Sequence, residues 1–198
     1  MAAIEEAVTI YCQVAKARPD AYLNGLATSL SNQYVCLSEL GRQEEAAAAI
    51  EEAVAIHRRL AQARPDTYLN NLAKSLNNQS SSLSESGRPE DALTAIEESV
   101  TIRRQLARAR PEAFLPDLAA SLRSYSGRLT ELGRQEDALV AIEEAVTIYR
   151  QLAQDRPEVF SPDLAASLRS SANALNAVKR ESEASAALRE ATKPSNET

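Results

Sequence analysis

One histidine, two cysteines and five glycines in a chain of 198 residues close off much of the chemistry a protein can do. His57 stands alone, so no histidine-based metal cluster or catalytic triad can be assembled around it. Cys12 and Cys36 read as unpaired thiols, because a disulfide framework or a zinc site needs more sulfur at short fixed spacings. The glycines never gather into a phosphate-cradling loop or a nucleophile elbow. No apolar run is long enough to cross a bilayer, and no charged-then-apolar leader opens the chain, which points to a soluble protein of the cytoplasm without membrane partners. The net charge is −6, and Lys and Arg are spread evenly where nucleic acid would need them gathered on one face. No cofactor, no metal, no nucleic acid and no enzymatic activity are expected from this inventory.

What the chain has is repetition. AIEEAV begins at Ala3, Ala49 and Ala141 and AIEESV at Ala95, 46 residues apart each time, and a degenerate ALREAT follows at Ala187. Self-similarity at a fixed period marks an array in which each unit packs on its neighbours. The expected organisation is one array over 1–192, with units 3–48, 49–94, 95–140 and 141–186, a partial unit 187–192, and a disordered tail at 193–198. The chain enters on the second helix of a unit, as a piece of a longer array would. Apolar Ile4, Val8 and Val14 at that first face offer a surface for a second copy.

Two joints punctuate every unit. Arg-Pro-acid recurs at Arg18-Pro19-Asp20, Arg64-Pro65-Asp66, Arg110-Pro111-Glu112 and Arg156-Pro157-Glu158; proline suits a first helical turn and ends the helix before it. Gly-Arg recurs at Gly41-Arg42, Gly87-Arg88 and Gly133-Arg134, where glycine reaches the left-handed conformation that ends helices. The fourth copy reads Val178-Lys179-Arg180, the mark of a terminal capping unit. Between joints the apolar residues keep helical time, as at Tyr22, Leu23, Leu26, Ala27, Leu30, Tyr34, Leu37 and Leu40, then at Ala46, Ile50, Ala53, Val54, Leu60 and Ala61. The spacing predicts paired helices of about 16 to 21 residues and no strand. Pro116 and Pro162 stand where Asn24 and Asn70 stand in earlier copies, so these two first helices are expected to begin at the later proline, with Glu112–Leu115 and Glu158–Ser161 as short turns. The paired glutamates, such as Glu51-Glu52, read as a solvated ridge, and His57, in a column with Tyr11, Arg103 and Tyr149, as packing.

The chain resembles the tetratricopeptide repeat family: Leu40, Gly41, Ala46, Ile50 and Ala53, and Leu132, Gly133, Ala138, Ile142 and Ala145, match that motif's core. The longer period is similar to the variant found in kinesin light chains and in arrays attached to signalling NTPases of the STAND type and caspase-like proteins. The resemblance implies a right-handed, all-α solenoid of antiparallel helix pairs that holds a protein or extended peptide on the concave face lined by the first helices. Carried across by position, the implied lining is Thr28, Ser31, Asn32 and Val35, then Lys74, Asn77, Asn78 and Ser81. The later units supply Arg123 and Ser124, then Arg169, Ser170 and Asn173. A clamp for a peptide C-terminal carboxylate is not expected, since only Asn78 falls in place among Ser31, Val35, Ala120 and Ser124.

Overall fold

A computed structural model describes residues 2–192, and among them every regular element is helical. The order is α1 (Ala2–Ala17), α2 (Pro19–Glu39), α3 (Gln43–Ala63), α4 (Pro65–Glu85), α5 (Pro89–Ala109), α6 (Pro111–Glu131), α7 (Gln135–Asp155), α8 (Pro157–Ala177) and α9 (Glu181–Ala191). The fold class is an all-α solenoid of helix pairs. The expected tail at 193–198 lies outside the described residues. The chain divides into two compact units, Met1–Ile102 and Arg103–Thr198, called here the first and second half.

At the first joint a single arginine serves both helices. The Arg64 N–H donates to the Leu60 carbonyl at 2.9 Å, and its own carbonyl accepts from Thr67 and Tyr68 at 3.2 Å. A one-residue link leaves the chain no option but to fold back, so the neighbours run antiparallel and pack along their length. The arginine side chain then lies over the aromatic one turn on: Arg64 over Tyr68 at 5.1 Å, Arg110 over Phe114 at 4.9 Å and Arg156 over Phe160 at 5.5 Å.

That stacking explains why the expected turns at Glu112–Leu115 and Glu158–Ser161 do not form. Helices α6 and α8 start at Pro111 and Pro157 and carry Pro116 and Pro162 inside. An internal proline gives up one hydrogen bond, from its own missing N–H, and crowds the preceding turn. A late start would instead release Phe114, which is buried beneath Arg110, and burying an aromatic of that size contributes about 2–3 kcal/mol.

The second joint closes identically four times. Arg42 N–H donates to Leu37 O at 2.9 Å and Gly41 N–H to Ser38 O at 3.0 Å, the paired bonds of a Schellman end. Gly41, Gly87 and Gly133 adopt φ of 71° to 73°, and Lys179 takes 63° in the fourth copy, so the turn survives the loss of glycine. Each joint arginine next clasps the acid three residues on: Arg42 to Glu45 at 2.7 and 2.6 Å, Arg88 to Asp91 at 2.8 Å, Arg134 to Asp137 at 2.8 Å and Arg180 to Glu183 at 2.7 and 2.6 Å. The bidentate bond from Arg42 holds the Glu45 carboxyl below its ordinary range.

Small residues let the pairs approach. Ala46, Ala92, Ala138 and Ala184 are all buried, Ala46 in one cluster with Leu37 and Ile50. Leu40, expected in the apolar stripe, is 59% exposed, because the residue before the left-handed glycine has already left the helical register. In each half the first helices of neighbouring pairs touch, α2 with α4 and α6 with α8. The second helices are joined at longer range by ion pairs: Arg58 to Glu98 at 2.5 Å in the first half, Arg104 to Glu144 at 2.6 Å and Arg150 to Glu190 at 2.7 Å in the second. The second residue of each paired glutamate from Glu98 onward is thus a rung between repeats.

Candidate functional site on the first helices

The first helices carry a polar face whose side chains are held from within. In the first half Asn71 donates to Asn24 Oδ1 at 2.8 Å, tying α4 to α2. Beneath this link His57 Nδ1 and Ser75 Oγ lie 2.8 Å apart, and Ser75 Oγ and Ser31 Oγ 3.2 Å apart, with Ser31 donating to the Ala27 carbonyl at 2.9 Å. Distance alone would make His57 and Ser75 a base and a nucleophile. Both are sealed at 3% and 1% exposure, the ring's Nε2 is buried without a hydrogen-bond partner among the described residues, and burial drives the imidazole pKa down to about 4. The pair is packing, as the sequence indicated for His57.

The same column is filled by different chemistry elsewhere. The Tyr11 ring lies so close to Gly25 that a Cβ there would meet it at 2.4 Å, so this glycine is required by the contact. In the second half Arg103 is buried and donates to Asp117; burial lowers its pKa and Asp117 opposes that shift. Tyr149 is buried too, and its phenol is pushed up to about 12 by burial, with Asp163 adding to the effect.

The expected lining residues divide between the halves. In the first, Thr28, Asn32, Val35 and Lys74 are exposed, Asn77, Asn78 and Ser81 are half-buried, and Ser31 is buried in the serine–histidine chain. The hydroxyl of Thr28 donates back to the Asn24 carbonyl at 2.9 Å. In the second half Arg169 and Asn173 are exposed, while Arg123, Ser124 and Ser170 are half-buried. Ser124 and Ser170 donate to their own helix carbonyls at 3.3 and 3.2 Å, and Arg123 reaches Asp163 at 3.9 Å.

Three of these, Arg123, Ser170 and Asn173, meet around a cleft of about 380 Å³ between α6 and α8. Its other walls are Ser126, Gly127, Thr130 and Glu131 of α6, Gln135 at the start of α7, and Ala174 and Ala177 of α8. Sequence reasoning singled out neither Gln135 nor the alanine wall. Gly127 and Thr130 are among the first-helix positions that the repeat resemblance also implies for the groove, and Gly127 is a glycine inside a helix where nothing lies within 4 Å of a would-be Cβ. A helix-interior glycine costs about 1 kcal/mol, and here neither a turn nor a close neighbour requires it. A larger cleft of about 440 Å³ lies over α8 between α7 and α9, bridged by Arg150 and Glu190. Its counterpart over α4, of about 190 Å³, is bridged by Arg58 and Glu98, so it is the ordinary gap between second helices. The α6/α8 cleft is open, has polar and apolar walls and brings no reactive pair together among its lining residues, and suits the capture of side chains rather than bond making.

Residues 72–107 match the family model described as tetratricopeptide repeat. Over that stretch the array carries a repeat of the tetratricopeptide type. Solved structures similar across the chain include MamA, with a TM-score of 0.62, 14% identity and coverage of 95% of this chain and 86% of that one. A second is the Podosopora anserina putative kinesin light chain with nearly identical TPR-like repeats, with a TM-score of 0.62, 20% identity and coverage of 95% and 85%. BtubC (BKLC) from P. vanneervenii follows with a TM-score of 0.56, 16% identity and coverage of 96% and 87%. At these identities the likeness concerns the fold. A search of curated proteins by sequence finds no match. Tetratricopeptide repeats generally serve protein–protein interaction. Among the described residues no helix is long and apolar enough to cross a membrane.

Proposed function

We propose that this tetratricopeptide-repeat chain is a non-enzymatic interaction module, a scaffold or sensor segment that holds a protein or an extended peptide along its first helices. The observation that carries this is the α6/α8 cleft, where Arg123, Ser170 and Asn173 converge over a glycine floor. Asparagine amides both donate and accept, so they can bond an extended backbone in either direction. Asn78 and Asn32 present the same chemistry on the first half. A pulldown comparing wild type with Asn32→Asp, Asn78→Asp and Asn173→Asp tests the reading. Partners retained by wild type are expected to be lost from at least one variant, and an unchanged partner list from all three overturns it.

A second reading is self-association through α1, favoured by Ile10, which is 50% exposed, while Ile4, Val8 and Val14 are half-buried and Val8 packs on the core. Light scattering over a concentration series decides it. A mass that grows with concentration and reverts with Ile10→Glu supports assembly, and a monomer at high micromolar concentration removes it.

A further inference from the structure

We infer that the α6/α8 cleft is a pocket for one aromatic side chain with a hydroxyl tip, a tyrosine of the bound peptide; the inference rests on the peptide-binding reading above. The repeat itself provides the template. At the positions of Ser126 and Gly127, α2 carries Tyr34 and Val35 and α4 carries Ser80 and Ser81, and Tyr34 is 6% exposed within the cluster formed with Leu30, Leu37, Ala46 and Ile50. The architecture therefore accommodates a phenol ring rising from this place on a first helix. In the second half both side chains are reduced to a hydroxymethyl and a hydrogen, and open volume stands there instead.

The walls match such an occupant. Ala174 and Ala177 give the apolar side that a ring buries. Arg123 at the margin offers a guanidinium to the ring face, the contact this chain already makes between Arg64 and Tyr68, Arg110 and Phe114, and Arg156 and Phe160. Gln135 lines the cleft, and its Oε1 is buried with no hydrogen-bond partner. A buried amide oxygen in that condition is costly until a donor reaches it, and a phenol O–H is such a donor. The Ser126 hydroxyl does not compete, since it donates to the Ala138 carbonyl at 2.8 Å.

The test uses the full chain and three blocked pentapeptides, Ac-Ser-Ser-X-Ser-Ser-NH2 with X as tyrosine, phenylalanine or alanine, followed by amide chemical shifts with Gly127 as reporter. Tyrosine is expected to bind at least about tenfold tighter than alanine, from ring burial, and about fivefold tighter than phenylalanine, from one hydrogen bond to a buried acceptor. Gly127→Val supplies the first half's own residue where there is open space, keeps or raises the melting temperature, and brings the tyrosine peptide down to the alanine level. Gln135→Leu is expected to erase the tyrosine-over-phenylalanine preference and leave ring binding in place. Equal binding of tyrosine and alanine peptides at first-helix amides, or a preference that Gly127→Val leaves untouched, overturns the inference while peptide binding stands. No shift at any first-helix amide with any of the peptides overturns both.

Discussion

The two halves are written in nearly the same words and end in different chemistry. In residues 1–102 α2 carries Tyr34, buried in the cluster with Leu30, Leu37, Ala46 and Ile50, beside exposed Val35, and the buried column is neutral, with His57 bonded to Ser75. In residues 103–198 Ser126 and Gly127 leave a cleft, and the same column holds the Arg103–Asp117 ion pair and Tyr149. Repetition conserves the positions where helices meet, since a change there disturbs two neighbours at once. Other positions are freer, so α2 carries a tyrosine where α4 and α6 carry a serine and α8 an alanine.

The strongest way to break this comparison is Tyr34→Ser, which gives the first half the second half's residue. Loss of a buried aromatic is expected to cost about 3 kcal/mol, whereas Ser126→Ala, removing one hydrogen bond in the second half, costs about 1 kcal/mol. Urea unfolding measures both, and a Tyr34→Ser cost below that of Ser126→Ala contradicts the idea that Tyr34 fills its site.

Next comes pH, where the halves respond in opposite directions. His57 titrates at 6.5 when unfolded and about 4 when folded, so the unfolded chain binds more protons in that window. Its contribution is whole above pH 6.5 and is lost as pH falls toward 4, about 2 kcal/mol at pH 5. Tyr149 has its folded pKa raised from 10.0 to about 12, so its contribution is whole below pH 10 and lost as pH rises toward 12. Unfolding midpoints across the pH range should show His57→Tyr flattening only the acid limb and Tyr149→Phe only the alkaline one. An acid limb unchanged in His57→Tyr removes the histidine from the explanation.

The smallest effect sharpens the likeness rather than the contrast. Lys179→Gly relieves a left-handed non-glycine residue and should raise stability by about 1 kcal/mol, with Gly133→Lys lowering it by the same amount. Thermal melts that do not move in opposite directions would mean that the fourth joint is not the same turn.

Much of the fold was legible in the residues. Proline after arginine and glycine before arginine act locally, through a fixed φ and a permitted left-handed φ, so helix boundaries followed from the text. The proline at 116 was misleading because its local preference was outweighed by Phe114, buried under Arg110, and at 162 the same joint contact is made by Arg156 and Phe160. The joint clasp from Arg42 to Glu45 could have been read from its recurrence at the same offset. Of the proposed lining, Arg123, Ser170 and Asn173 meet around one cleft while Ser31 turns inward to Ser75, and helical periodicity alone does not separate those cases.

By itself the sequence determined the period, the helix pairs and the stacking of like on like, since all three rest on backbone conformation and on apolar residues three or four apart. Only the tertiary structure decided where volume is left over. Space between helices is set by what several side chains from different repeats do together, and no single segment contains that information.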